Sequence, residues 1–367
     1  MADVEELPVD EIPLRKSDHI DITTQREVTP ALSPGWDDIH LVHQALPEID
    51  LDEVELGVDF LGHHFSAPFI ISSMTGGHPR ATEINRSLAR AAQAYGLGMG
   101  VGSQRAAVRR PELLSTYAVA REAAPTAFIV ANVGAPQLIA QDGEAPLDLH
   151  AIQGIITAVR GDALAVHLNY LQEVVQPEGD THARGALSAI ERLARGLTLP
   201  VIAKETGAGM SHEQAKNLQA AGVAALDVGG AGGTSFALVE SFRAADRQLA
   251  RFERLGQTLG AWGIPTAASL RECAAVGLPL IATGGVRNGL DAAKALALGA
   301  NLVGLARPML TAALEGYPAL EAFVEELLHT LRAVMFLCGA RTVEELRNRP
   351  RVITGFTAGW ISSRGLT

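Results

Sequence analysis

The sequence predicts an α/β protein built as a (β/α)₈ TIM barrel, with an N-terminal extension and an insertion after the sixth strand. First, an Ala/Leu-rich helical segment, a glycine and a short apolar run recur in that order. The pattern is AQAYG–LGMGV at Gly96, RLARG–LTLPVIA at Gly196, QAAG–VAALDV at Gly222, AAVG–LPLIAT at Gly277 and ALALG–ANLVGLA at Gly299. Glycine after a helix reads as a left-handed cap, and a strand soon after it as the next βα unit. Second, the runs PFIIS (68–72), AFIVAN (127–132) and ALAVHLN (163–169) bring the strand candidates to eight. They begin near residues 68, 97, 127, 163, 199, 223, 279 and 301. Helices are expected in gaps such as 80–95, 112–123, 182–195, 211–220, 288–298 and 318–338. Third, no Gly-x-Gly-x-x-Gly follows the first strand, as a doubly wound dinucleotide sheet would require. Eight alternating units over about 270 residues fit a barrel.

Two regions fall outside the repeat. Residues 1–65 are expected to cap the barrel, with DLDEVELGVDFLGHHF (50–65) alternating as a hairpin lying over it. Within the barrel domain, 66–340, residues 236–264 insert a long polar helix, SFRAADRQLARFERLGQ. Insertions after strands lie on the C-terminal face, where barrel enzymes carry their active sites. Residues 341–367 form a tail packed on or near the barrel.

The chain has 367 residues, 47% of them hydrophobic, and a net charge of −11. That charge argues against a nucleic-acid partner, so an anionic ligand would need a local basic cluster. No uninterrupted apolar stretch approaches the roughly 18–20 residues of a membrane span. The start, MADVEELPVDEIPLRK, lacks the positive end and apolar core of a signal peptide. Cys273 and Cys338 read as reduced thiols of a cytoplasmic protein, with no metal cage.

Chemistry gathers at the strand ends: SSMTGG (72–77), GVGSQR (100–105), ANVGA (131–135), HLNYLQE (167–173), AKETGAG (203–209), DVGGAGGTS (227–235), ATGGVRNG (282–289) and GLARPM (304–309). Eight polar or glycine-rich ends on one face are best explained by one shared site. HLNYLQE sharpens the point, because burying four polar groups without partners costs roughly 1–3 kcal/mol each. GGAGGTS, GGVRNG and GLAR offer small residues and helix N-termini that cradle a phosphate, with Arg287 adding charge. Lys204 ends a buried strand. It either pairs with a carboxylate such as Glu205 or Asp227, or stands beside an electron-rich ring. With Asn132 and Thr75 at the ring edge, and a phosphate, that ring is better described as FMN than as a sugar phosphate.

These residues, together with RKSDH (15–19) and MTGG (74–77), resemble type 2 isopentenyl diphosphate isomerase, over nearly the whole chain. The family is an FMN-dependent (β/α)₈ enzyme that interconverts isopentenyl and dimethylallyl diphosphate without net redox change. The resemblance implies reduced FMN, Mg²⁺, NADPH as reductant and a homo-oligomer, tetramer or octamer. It implies that Arg15, Lys16, His19, Ser103, Gln104 and Arg105 engage the substrate, with His167, Asn169 and Gln172. Glu173 would be the Mg²⁺ ligand. FMN contacts would come from Ser73, Met74, Thr75, Ser103, Asn132, Lys204, Thr234, Gly284, Gly285, Arg287, Ala306 and Arg307. Gly229 stands where the family leads us to expect serine, and Thr206 where it leads us to expect valine. The mechanistic expectation is that FMN is the acid/base, with Gln172 and His167 placed at the substrate and Lys204 supporting the ring. The rival is an FMN oxidoreductase on the same barrel. Families that oxidise 2-hydroxy acids place a histidine after strand six, and DVGGAGGTS has none.

Overall fold

Parallel strands buried on both faces read as continuous runs of branched and small apolar residues, and eight such runs close on themselves. In the computed structural model, which describes residues 11–366, the strands are β1 (Phe69–Ile71), β2 (Gly98–Gly100), β3 (Ile129–Gly134), β4 (Ala163–Leu168), β5 (Val201–Glu205), β6 (Ala225–Asp227), β7 (Leu280–Thr283) and β8 (Leu302–Leu305). They form one closed parallel barrel in sequence order, β8 pairing with β1. Each strand starts at or within two residues of the position read from the sequence. The first ten residues of the extension lie outside the described residues.

Four of the five repeat glycines are left-handed: Gly96, Gly222, Gly277 and Gly299. Gly196 instead ends the helix Ala186–Gly196, and extended Leu197 caps it.

The two ends of the barrel differ. At the strand N-termini, Phe128, Val130, Ala163, Ala225 and Leu302 leave an apolar opening that Phe60 and Phe65 fill. Phe60 and Phe65 belong to an antiparallel hairpin, Val58–Phe60 with His63–Phe65. Its turn is left-handed at both central residues, Leu61 and Gly62, the conformation that matches strand twist in tight hairpins. The expected hairpin therefore exists but closes the floor, opposite the polar rim, because its aromatic face has apolar surface to bury only there.

The polar rim is covered instead by the helix Glu11–Gln25, which packs on the helix Phe236–Asp246. The insertion forms two helices, Phe236–Asp246 and Ala250–Thr258, rather than the single long one expected. The chain breaks at Gln248, which has φ 60°. At the other terminus, Arg351–Ile353 pairs with Ile39–Leu41. The helix Gly355–Arg364 is fastened to the barrel by buried Glu272, which accepts from Trp360 Nε1 and Arg364 Nε, both at 2.8 Å. Among the described residues no helix is long and apolar enough to cross a membrane.

Phe65 is fully buried against the rings of Phe60 and Phe128. We expect Phe65→Ala to lower stability by about 3–5 kcal/mol, read as a fall in the urea midpoint. Leu46→Ala, at an exposed position, should leave that midpoint unchanged.

Candidate active site

The eight strand ends open into a cavity of ≈ 1350 Å³ roofed by the helix Glu11–Gln25 and by Phe236. A pocket for one small molecule runs to about 300–1,000 Å³, so this one has room for two ligands. Every site residue read from the sequence lines it except Gln104. Gln104 is fully buried; its Nε2 donates to the Ile155 carbonyl at 2.9 Å and its Oε1 accepts from the Asn132 N–H at 3.1 Å. Its role is therefore to tie β3 to the neighbouring loop, not to meet a substrate. Adjacent polar residues on a strand-end turn face opposite ways, which a motif string does not reveal.

One wall is cationic. Arg15, Lys16 and Arg105 line it, and burial, with Arg15 and Arg105 nearby, lowers the Lys16 ammonium to about 8. The loop after Gln176 supplies counter-ions. Arg15 donates to Gln176 Oε1 at 3.3 Å and lies 3.9 Å from Glu178. Arg105 is forked between Asp180 at 2.5 Å and Glu144 at 2.9 Å, while its buried Nε has no partner. Glu173 Oε1 accepts from Asn169 Nδ2 at 2.7 Å, and Oε2 from the Asp180 N–H at 2.9 Å. Burial pushes its carboxyl above the usual carboxylate range, with Asp180 adding repulsion. The Asn169 Oδ1 is buried and unpaired, an acceptor turned toward the same wall. Among the described residues no three His, Cys, Asp or Glu side chains cluster to hold a metal.

Strand register sets the next band. Gly134, His167, Lys204 and Asp227 are successive cross-strand neighbours on β3 to β6. His167 Nδ1 lies 2.9 Å from Asn132 Oδ1, whose Nδ2 already donates to Val101 O. His167 is thus the donor, and its Nε2 is an acceptor. Burial, reinforced by Lys16, Lys204 and Arg105, pushes this imidazole down to about 3. Lys204 pairs with Asp227 at 3.0 Å, the counter-ion alternative weighed from the sequence, yet it still lines the cavity.

The insertion supplies a residue that sequence reasoning missed. Glu240 Oε1 accepts from Gln172 Nε2 at 2.9 Å and meets His19 Nε2 at 2.8 Å, and Arg243 Nε donates to its Oε2 at 2.7 Å. Burial would raise its pKa, but His19, Arg243 and Gln172 hold it down to about 2. Arg243 is held in turn by Glu178. The signal was present: Glu240 and Arg243 stand one turn apart on a helix whose other buried residues, Ala237, Val239, Ser241 and Ala244, carry no charge, and buried charges are placed there as a pair.

On the opposite side, Thr234, Gly284, Gly285, Arg287, Ala306 and Arg307 surround one lobe, at the starts of the helices Gly289–Ala297 and Arg307–Glu315. Ser73, Met74, Thr75 and Ser103 lead from it toward Asn132 and Lys204. A Cβ on Gly284 would come 2.4 Å from Gly230 O, so glycine is what lets two strand-end loops close on that lobe. Gly229 has φ +47° and a Cβ there would lie 2.0 Å from Glu205 O, which accounts for glycine in place of the expected serine. Thr75 Oγ1 is buried and unpaired, a donor awaiting a ligand.

A histidine whose folded value lies near 3, below its unfolded value near 6.5, stabilises the fold fully above pH 6.5. That contribution is lost as pH falls toward 3. We expect His167→Gln to flatten the acid limb of stability in this window, measured as urea midpoint against pH; an unchanged limb would contradict a neutral His167.

Residues 172–353 match the model of the FMN-dependent dehydrogenase family. Curated relatives named isopentenyl-diphosphate delta-isomerase include one from Halobacterium salinarum, 48% identical over 95% of this chain and 96% of that one. One from Methanoregula boonei is 49% identical over 94% of each chain, and one from Thermococcus onnurineus 48% identical over 99% of this chain and 96% of its own. Solved structures sharing the fold include a lactate oxidase of Pediococcus acidilactici, with a TM-score of 0.63 at 19% identity, covering 94% of this chain and 92% of that one. A mandelate oxidase variant gives 0.61 at 18% identity, over 91% and 95%. With near-half identity along almost its full length and the site residues gathered in one cavity, the chain belongs to the isopentenyl-diphosphate delta-isomerase family.

Proposed function

We propose that the protein moves the double bond of isopentenyl diphosphate to give dimethylallyl diphosphate, with FMN in the lobe bounded by Thr234, Gly284 and Arg307. The observation that carries this is a cavity sized for two ligands, lined by Arg15, Lys16, Arg105 and Glu173 together with Lys204, Asn132 and Thr75. The relatives' names support the reaction, and the family match supports FMN. Asn132 and the unpaired Thr75 hydroxyl suit a ring edge with donors and acceptors, and the glycine loops with Arg287 and Arg307 suit a phosphate. Reduced FMN, kept so by NADPH, would supply a proton donor and acceptor beside an electron-rich ring. Glu173, with Asn169 Oδ1, would hold a hydrated Mg²⁺ shared with diphosphate oxygens, a single-carboxylate arrangement that suits this ion.

The chain's own groups then divide the work. Arg15, Lys16 and Arg105 bind the diphosphate, arginine by paired N–H bonds and lysine as a point charge. Neutral His167 offers Nε2 as an acceptor beside them. Gln172 turns its amide nitrogen to Glu240, which takes one of its two N–H bonds, and this leaves the amide oxygen to meet the substrate and steady a proton in transit. Phe236 and Met74 exclude water from the apolar end, where developing positive charge would otherwise be captured. The protein is further proposed to be a cytoplasmic homo-oligomer.

The rival oxidoreductase shares the fold of the oxidases above, but the loop from Val228 to Ser235 holds no histidine or other titratable side chain. The deciding experiment is anaerobic: protein, FMN, Mg²⁺, isopentenyl diphosphate and a trace of NADPH, followed by product analysis. Dimethylallyl diphosphate in large excess over the NADPH consumed is expected. No product with flavin bound and reduced would reject the proposal. In the same assay Gln172→Leu should lower kcat by about 10²–10⁴ with little change in KM.

A further inference from the structure

We propose that Asp227 is a positioning residue that holds Lys204 and limits how much of its positive charge the cofactor ring experiences; this rests on the FMN reading above. Lys204 and Asp227 are register partners on β5 and β6, so their side chains leave the same face of the barrel side by side. The Lys204 Nζ lies 3.0 Å from Asp227 Oδ2 and also donates to Glu205 O at 3.2 Å. Both residues are buried. Lys204 lines the cavity and Asp227, beside it, does not. The second oxygen, Asp227 Oδ1, is buried without a partner, so no other group competes with Lys204 for this carboxylate.

The geometry has an electrostatic consequence. A lone ammonium at the ring would favour every anionic form of the flavin. A lysine backed by a carboxylate presents a dipole, whose field falls faster with distance than that of a net charge. Of the other cations lining the cavity, Arg15, Lys16 and Arg105 are assigned to the diphosphate, and Arg287 and Arg307 to the cofactor's phosphate. Lys204 with Asp227 is therefore the pair that adjusts the ring, and the carboxylate restrains the reducing form from becoming too stable to return its proton.

The test uses holoenzyme at pH 6.5, well below the ordinary lysine range. Retention of FMN by the wild type after desalting is measured first; its absence would reject the FMN reading and this inference with it, whereas the variant outcomes below bear on this inference alone. For Asp227→Asn we expect FMN retained, sulfite bound to the flavin about tenfold more tightly, and a two-electron midpoint potential higher by about 30 mV, the same factor expressed as potential. Asp227→Ser, a smaller neutral replacement, should move both readouts the same way, and Asp227→Glu should restore both toward wild type. A neutral variant that keeps FMN with unchanged or lower potential would overturn the proposal, since a merely structural carboxylate would not move it upward. Loss of FMN by both neutral variants would also overturn it, because Asp227 is given no part in holding the cofactor.

Discussion

Closing a parallel sheet on itself is the constraint from which the rest of this molecule follows. Each backbone donor and acceptor of the eight strands must find a neighbour, and a closed barrel leaves no edge unpaired. Because all strands run the same way, all eight C-terminal ends emerge on one rim. Side chains at those ends converge without any long-range plan in the sequence. The register Gly134–His167–Lys204–Asp227 is a direct product of that pairing. The N-terminal rim meets the opposite demand: it presents apolar surface, and the Phe60–Phe65 hairpin covers it.

A wall that gathers Arg15, Lys16 and Arg105 in a protein of net charge −11 requires internal compensation. The loop from Gln176 to Asp180 provides it, with Glu178 between Arg15 and Arg243 and Asp180 on Arg105. The same loop anchors Glu173 through the Asp180 N–H. Arg15, Arg105 and Glu173 thus share one short segment as a partner, preset before a ligand arrives. Glu240 does the same for the other half of the site. It is a buried carboxylate kept ionised by Arg243, and it fixes both Gln172 and His19. Buried pairs of this kind specify geometry more than they stabilise.

The likeness to mandelate and lactate oxidases at under 20% identity is a likeness of barrel, and a barrel alone does not choose a chemistry. In this chain the site is completed by elements outside the repeat. The helix Glu11–Gln25 brings Arg15, Lys16 and His19 over the rim, and the insertion brings Phe236 and Glu240. Neither belongs to a βα unit, and both contribute to one roof.

The sequence by itself determined the barrel, its strand starts to within two residues, and most of the polar residues that line the cavity. Parallel-strand burial, glycine-ended helices and polar strand ends are local patterns, each set by a few neighbouring residues. Motifs such as HLNYLQE and GGVRNG could likewise be read locally, and all but Gln104 of the residues they offered reached the cavity. Tertiary structure alone decided what depends on partners distant along the chain. It turned Gln104 into a strap, put the hairpin on the floor and broke the insertion at Gln248. It also placed Glu240 beneath Gln172, 68 positions away in the chain. In a buried site a charge is held by whatever opposite charge the fold carries to within about 3 Å, and a one-dimensional pattern does not encode that distance.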